Sequence, residues 1–359
     1  MELALTQGTG LRPAPRTVAP GGVPREPRSR TGRRWAGLAL GAAALVAAAA
    51  LSIAVGSRSL GLGTVWHVLW HDDGSPAAVI VHQLRLPRTV LGVGVGAALG
   101  LAGTLMQALT RNPLAEPGLL GVNLGASTGV VFAIAFLGVG SAAGYIWFAF
   151  AGAALTSAAV FALGGSGRAA TPERQVLAGV SLTSVLGALV WAVLVTRPTT
   201  FDRYRHWDVG SLADRETDTL VQVVPFLVAG TLLALALGRQ LNALSMGDDS
   251  ATALGARPAV IRALGMAAIT LLCGAATAAS GPIWFVGLAV PYAARLFTGA
   301  DHRWILAYSL VIGPTLLLVS DVLGRVLVSP AELPVGVVTA FLGAPLFIAL
   351  CRRRRLSVL

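Results

Sequence analysis

The stretch RLPRTVLGVGVGAALGLAGTLMQALTRNPLAEPGLLGVNLGAS, residues 85–127, decides the fold class of this chain. Two arginines precede an apolar segment, and a proline-broken turn, NPLAEPG, follows it. Between them Gly92, Gly96 and Gly100 recur every four residues, so they fall on one stripe of a helix. In lipid, helices associate through close van der Waals packing, and a glycine stripe lets a neighbouring backbone approach. The stretch therefore predicts a packed transmembrane helix with two chemically different ends.

The composition extends this prediction to the whole chain. Of the 359 residues, 55% are hydrophobic and only 12% are charged, which is typical of a polytopic membrane protein. The net charge of +11 does not indicate nucleic-acid binding, because the basic residues lie at the ends of apolar segments and in the tails. All 27 basic residues are arginine. Without a lysine for the nucleotide phosphates, the chain cannot be an ordinary P-loop ATPase by itself.

Ten apolar segments predict an all-α membrane domain over residues 35–359, preceded by a disordered basic cytoplasmic tail at residues 1–34. The segments lie at residues 35–55, 88–109, 118–138, 143–163, 175–196, 219–238, 259–279, 283–298, 304–323 and 335–350. An even number of spans returns both termini to one side. Placing them in the cytoplasm leaves nineteen arginines inside and eight outside, as the positive-inside rule requires.

The cytoplasmic loop at residues 245–262 carries the signals of a short helix. Asp248 and Asp249 suit its first turn, where a carboxylate meets the positive end of the helix dipole. Gly255 can take the left-handed conformation that ends a helix. The apolar residues on one face of this helix would be Ala251 and Leu254. The loop is either a solvated turn or a docking surface for a cytoplasmic partner.

Near the last two spans, two patterns predict local structure. Asp321 is the main acidic residue inside an apolar span, which makes it a candidate for proton coupling. Arg325 follows four residues later, and that spacing favours an ion pair with Asp321 instead. The sequence Ser329-Pro330-Ala331-Glu332 has the form of a capping box with proline at the first helical position, so it predicts a short helix before the last span.

Taken together, these segments resemble the membrane subunit of the iron-siderophore, haem and cobalamin ABC importers, the FecCD-type permeases. The strings that carry the resemblance occur in the family's order and at its spacing. They are RLPR at 85–88, MQALTRNPLAEPGLLGV at 106–122, WDVGSL at 207–212, GDDSATALG at 247–255, GPIWFVGLAVPYAARL at 281–296 and AELPVGVVTAFLGAP at 331–345. The resemblance therefore covers nearly all of the chain beyond residue 35.

The resemblance implies a ten-helix permease domain of the type II importer fold in the bacterial cytoplasmic membrane, with no catalytic residue, metal or cofactor of its own. Such permeases work as dimers, formed by two copies or with a sister permease, and the transport path runs between the two subunits. Two cytoplasmic ATPase subunits would bind ATP and Mg²⁺ and drive transport. An extracytoplasmic substrate-binding protein would deliver the ligand. Nucleic acid has no part in this scheme.

The resemblance also implies roles for particular residues. Arg85, Arg88 and Arg325 match positions that receive acidic side chains of the binding protein, although Arg85 and Arg88 could instead anchor a helix end among lipid headgroups. The segment 247–255 matches the region that docks on the ATPase and transmits its closure. Its candidate coupling residues are Gly247, Asp248, Asp249, Ala251, Leu254 and Gly255. Candidate hydroxyl groups along the path are those of Ser181, Ser184 and Thr339.

The residues leave several ligands and functions open. The expected ligand is an iron-siderophore, with haem or cobalamin as alternatives within the family. Two departures from the family pattern bear on packing or on the ligand route: Tyr292 replaces a histidine, and Trp284 replaces a small residue. An ion-coupled secondary transporter is disfavoured, because buried acids are scarce and two interrupted helices with ion ligands are missing. A non-transporting scaffold would not need partner surfaces on both sides.

Overall fold

The computed structural model of the protein describes residues 28–56, 60–164, 172–213 and 217–352. Within these ranges the regular structure is entirely helical, with no strand. The helices are α1 (Arg28–Ala54), α2 (Leu62–Trp70), α3 (Pro76–Val79), α4 (Leu86–Thr110), α5 (Val122–Leu137), α6 (Ala142–Leu163), α7 (Pro172–Thr196), α8 (Pro198–Asp208), α9 (Thr217–Ser245), α10 (Asp248–Ala253), α11 (Pro258–Ser280), α12 (Val286–Thr298), α13 (His302–Leu327) and α14 (Val335–Arg352). A π-helical turn at Ile80–Arg85 joins α3 to α4, and a 3₁₀ turn at Pro117–Leu120 precedes α5.

The ten predicted spans all appear as helices. Among the described residues, seven helices are long and apolar enough to cross a membrane: α1, α4 with the turns before it, α6, α7, α9, α11 and α13. The shorter apolar helices α5, α12 and α14 complete the set of ten. The all-α polytopic prediction is therefore confirmed. Orientation labels follow the predicted topology: the end that carries α10 is called the inner end, and the end that carries Arg85 is called the outer end.

α4 forms the centre of the helix bundle, and seventeen of its 25 residues are buried. Its glycine stripe packs against α13, as the spacing predicts. A Cβ atom at Gly96 would lie 2.6 Å from the backbone of Pro314, and one at Gly92 would lie 2.8 Å from the side chain of Leu318. A Cβ at Gly103 would overlap the carbonyl oxygen of Gly287 in α12. The helices approach this closely because glycine leaves their backbones uncovered.

The first helix begins earlier than predicted. α1 starts at Arg28, so the expected disordered tail is wrong for residues 28–34, and residues 1–27 lie outside the described part of the chain. Tertiary contacts explain the additional helical turns. Arg34 donates a hydrogen bond to the carbonyl of Thr298 (3.0 Å), and its own carbonyl accepts one from the Tyr308 hydroxyl (2.7 Å). These partners are more than 260 residues away and leave no local signal in the sequence.

The predicted capping-box helix is also wrong. The segment between α13 and α14 forms a turn that includes a cis peptide bond between Ser329 and Pro330. The carboxylate of Glu332 binds Arg88 (2.7 Å) instead of returning to the backbone of Ser329. A guanidinium carries a full positive charge, so its contact with the carboxylate is an ion pair as well as a hydrogen bond, whereas the backbone N–H of a cap offers the hydrogen bond alone.

Candidate docking and coupling sites

At the inner end, α10 has glycine on both sides in conformations that other residues rarely adopt. Gly247 precedes the helix with φ +103°, and Gly255 follows it with φ +82°. The left-handed position predicted for Gly255 is therefore confirmed. Asp248 and Asp249 occupy the first turn of α10, again as predicted. The two glycines let a helix of six residues turn out of α9 and back into α11.

A cluster of three charged side chains, Arg111, Asp248 and Arg262, ties α10 to the rest of the fold. We call it the inner clamp. Arg111 and Arg262 each place an Nη2 atom on the Asp248 carboxylate, at 2.6 Å and 2.8 Å. Arg111 caps α4 with φ +50° and also donates to the carbonyl of Leu244 at the end of α9 (2.7 Å). Through one carboxylate, α10 is thus held to α4, α9 and α11.

The inner clamp also sets the ionisation of its carboxylate. Burial acts to raise the pKa of Asp248, but the hydrogen bonds from Arg262 and Arg111 outweigh this effect and lower the pKa below its ordinary value. Asp248 is therefore a carboxylate throughout the neutral range. Both arginines are always charged, so the contacts are of the strong, charge-assisted kind.

The apolar face predicted for α10 is divided. Leu254 has 65% of its surface exposed, whereas Ala251 is completely buried, so the prediction that they share one presented face is wrong. Ala251 turns inward because the clamp presses that side of α10 against the bundle. Met246, also 65% exposed, and the exposed Asp249 lie on either side of the helix start. The surface open to a partner therefore includes Met246, Asp249 and Leu254.

At the outer end, two of the three predicted docking arginines are buried. Arg85 is 5% exposed and donates from Nη1 to the carbonyls of Ile53 (2.9 Å) and Ala54 (2.7 Å). Arg325 is 2% exposed and donates from Nη1 to the carbonyls of Ser52 (2.9 Å) and Val55 (2.8 Å). Both guanidiniums therefore bind free carbonyls at the C-terminal end of α1, where a positive charge is favourable. Holding α1 is a role that the sequence analysis did not predict for either residue.

The third arginine, Arg88, bridges two carboxylates. Its Nη2 lies 2.8 Å from Asp321, its Nε also binds Asp321, and its Nη1 lies 2.7 Å from Glu332. Asp321 is fully buried and also pairs with Arg325 at 2.9 Å, so the predicted pair between these two residues is confirmed. A buried carboxylate needs this degree of compensation, because its desolvation is costly. The pairing leaves no isolated intramembrane acid at Asp321.

A cleft of about 830 Å³ opens beside this outer cluster. Its lining includes all three arginines and the turn before α14, with Glu332, Leu333 and Pro334. Among the described residues, this cluster joins three guanidiniums to the carboxylates of Asp321 and Glu332, which leaves it one excess positive charge.

The sequence model of the FecCD transport family matches residues 44–353, which is most of the chain. The protein belongs to the FecCD transport family. It is 49% identical over 312 residues to the ferric enterobactin transport system permease protein FepD of Escherichia coli (strain K12), covering 86% of this chain and 93% of FepD. It is 39% identical to the hemin transport system permease protein HmuU of Yersinia pestis, covering 84% of this chain and 92% of HmuU.

A solved structure gives the same result for the fold. It is described as an inward-facing conformation of a metal-chelate type ABC transporter, and it superposes with a TM-score of 0.77 at 30% identity over 90% of this chain and 99% of its own. This member of the FecCD family is therefore the permease subunit of an ABC importer in the bacterial cytoplasmic membrane. It works with an ATPase and is a transport subunit, not an enzyme.

The predicted path residues of the permease differ in their exposure. Ser181 and Ser184 are exposed on α7, a helix that is largely uncovered in the single chain. Thr339 is only 3% exposed in the single chain and donates its hydroxyl to the carbonyl of Gly336, and its place on the path stays a prediction. On the exposed side of α14, an apolar groove of about 560 Å³ runs past Phe341.

Three residues of the two sites were missed in the sequence analysis: Arg111, Arg262 and Glu332. The contact between Arg88 and Glu332 spans 244 residues, and that between Arg111 and Asp248 spans 137. One signal could have led to Arg88, since a carboxylate such as Asp321 inside an apolar span needs a buried cation.

Trp284, the departure from the family pattern, packs its ring against Gly118 in the turn before α5.

Proposed function

We propose that this permease carries a ferric siderophore into the cytoplasm, driven by a separate ATPase that binds ATP and Mg²⁺. The observation that carries the proposal is the 49% identity to FepD over 93% of the length of FepD, a protein described as a ferric enterobactin permease. Relatives described as transporting hemin and cobalamin are 39% and 35% identical, so these ligands are the less favoured alternatives.

The inner end supports a coupling role for α10. A partner ATPase would contact the exposed surface of Met246, Asp249 and Leu254, while the inner clamp would pass its movement to α4 and α11. A short helix that is rigidly tied to long ones can act as a lever for rigid-body gating. This assignment places α10 and both termini in the cytoplasm, in agreement with the arginine distribution.

The outer end supports docking of a binding protein by carboxylates. The cluster beside the cleft has an excess positive charge, and Arg88 is the most exposed of its three arginines, with 13% of its side chain exposed. Arg85 and Arg325 would contribute mainly through the electrostatic potential, because their Nη1 atoms hold α1. Charges of this kind steer docking and fix its register more than they add to affinity.

The membrane faces of α7 and α14 support a dimer with the path between its subunits. α7 is long, apolar and mostly uncovered, and α14 presents Phe341 with 77% of its surface exposed. The second subunit would be another copy or a sister permease. The weakly polar wall around Ser181 and Ser184 would let a large chelate slide through without tight binding.

The test is uptake of labelled ferric siderophores, haem and cobalamin in cells with and without the gene, each with a protonophore control. We expect deletion to abolish uptake of a ferric siderophore, and the uptake in normal cells to persist with protonophore while ATP lasts. Loss of haem or cobalamin uptake alone would replace the proposed ligand. Collapse of uptake with protonophore despite sustained ATP would contradict ATP-driven import.

A further inference from the structure

We propose that Glu332 is an internal placeholder: it occupies the position on Arg88 that a carboxylate of the binding protein takes on docking, and its displacement releases the turn that leads into α14. This inference rests on the proposed docking of a binding protein at the outer cluster. It adds a mechanism by which docking at the surface reaches a helix of the transport path.

The two carboxylates on Arg88 differ in accessibility. Asp321 is fully buried and is shared with Arg325, so it cannot leave without stranding two buried guanidiniums. Glu332 keeps 27% of its side chain exposed and lies on a turn that lines the cleft. Arg88 uses Nε and Nη2 for Asp321 and Nη1 for Glu332. The Nη1 atom can therefore change partners while the rest of the guanidinium stays in place.

A carboxylate that enters from the cleft could accept the same hydrogen bond from Arg88 Nη1 that Glu332 accepts. It would replace one charge-assisted contact by another, so the exchange itself costs little free energy. Without Glu332, the cluster of three arginines and Asp321 would have an excess of two positive charges. In the undocked permease, Glu332 thus lowers the potential of the site and competes with the partner.

The turn that carries Glu332 and the start of α14 are connected to two other segments. The N–H of Leu333 binds the carbonyl of Gly324 at the end of α13 (3.0 Å), and the N–H of Gly336 in α14 binds the carbonyl of Gly210 after α8 (3.0 Å). Only two residues separate Glu332 from the first turn of α14. Release of Glu332 from Arg88 would remove the tie of this turn to α4, and we expect the outer end of α14 to loosen as a result.

The experiment measures the affinity of the system's own binding protein for the assembled permease–ATPase complex in lipid nanodiscs, at low and high salt. The variants are Glu332→Gln, which removes the charge, and Glu332→Ala, which removes every acceptor. Asp202→Asn is the control, because it removes a charge from an exposed outer residue that pairs with Arg205 and lies outside the cluster. Arg88→Gln tests the docking site itself.

We expect both Glu332 variants to bind about threefold to tenfold more tightly at low salt, the range for a partly exposed ion pair, with Asp202→Asn unchanged. A spin label at Ala331→Cys provides the second measurement. In the Glu332→Ala permease without binding protein, this label should be as mobile as it is in the docked permease that keeps Glu332.

The outcomes separate the two ideas. If Arg88→Gln weakens docking but neither Glu332 variant strengthens it, the placeholder is wrong and the docking site stands. If Arg88→Gln leaves docking unchanged at low salt, the docking site itself is wrong. If the spin label stays immobile in Glu332→Ala, the proposed release of the turn is wrong whatever the affinities show.

Discussion

Replacing Asp248 by asparagine removes the charge of the inner clamp but keeps the size of the side chain. In the protein, this carboxylate receives Arg111 at 2.6 Å and Arg262 at 2.8 Å. The carboxylate is 42% exposed, Arg111 is 33% exposed and Arg262 is 11% exposed, so solvent screens the first contact more than the second. We assign about 0.5 kcal/mol to the contact with Arg111 and about 1.5 kcal/mol to that with Arg262.

The expected loss is thus about 2 kcal/mol in the attachment of α10, which raises the detached fraction about thirtyfold. The bundle itself should stay folded, because α10 has six residues and the long helices pack without it. If α10 is the lever between the ATPase and α4, ATP hydrolysis should continue while transport falls. The measured quantity is the number of ligand molecules moved per ATP hydrolysed in proteoliposomes, and we expect it to drop severalfold.

Two further measurements make this reasoning refutable. Asp248→Glu keeps the charge and should restore most of the coupling, which a purely steric role would not predict. Hydrogen exchange should accelerate in residues 248–253 of the asparagine variant and stay unchanged in α4 and α11. A normal ratio of ligand to ATP, or unchanged exchange in α10, would show that the clamp does not transmit movement.

Three other predictions follow from named contacts. Leu254→Asp should weaken binding of the ATPase in a pull-down without changing the melting temperature, because Leu254 is 65% exposed; normal binding would exclude it from the interface. Gly103→Val should abolish folded protein in size-exclusion chromatography, whereas Gly32→Ala, with open space around it, should be tolerated; a folded Gly103→Val would contradict the close helix packing. Because the folded-state pKa of Asp248 is lowered, the clamp adds stability above the ordinary value of 3.8 and loses it only as pH falls through the folded value. The protection of the α10 amides, taken as the hydrogen-exchange rate relative to that of an unfolded peptide at the same pH, should therefore stay constant between about pH 5 and pH 8; a change in protection across that range would contradict the lowered pKa.

Local patterns predicted the architecture well. The apolar segments, the glycine stripe of α4 and the glycine that ends α10 all depend on interactions within a few residues or on the bilayer as a solvent. These interactions depend only on nearby residues or on the surrounding lipid, so they can be predicted from the sequence without knowing the fold. The same patterns failed where a distant partner competed with the local one, as at Ser329–Glu332, where Arg88 takes the carboxylate.

Burial was the second source of error. The sequence pattern treats Ala251 and Leu254 alike, as apolar residues on one face of a short helix. In the structure, Ala251 is buried on the side of the inner clamp and Leu254 is exposed. Arg85 and Arg325 are predicted to receive acidic side chains of a binding protein, and the structure adds a second role, since both are buried and bind carbonyls at the end of α1. The free carbonyls at the C-terminal end of α1 favour contact with cations, but the sequence does not indicate which arginine reaches them.

The sequence alone therefore determined that the chain is a ten-helix membrane protein, which of its segments cross the membrane, and which two loops differ from plain connectors, while the resemblance of its motifs to a family implied a permease. It could do so because hydrophobic length, arginine bias and turn chemistry are local quantities. Only the tertiary structure decided which charges meet: Arg88 with Asp321 and Glu332 at the outer end, and Asp248 with Arg111 and Arg262 at the inner end. Ion pairs are set by distances in space, and these distances exist only after the helices have packed.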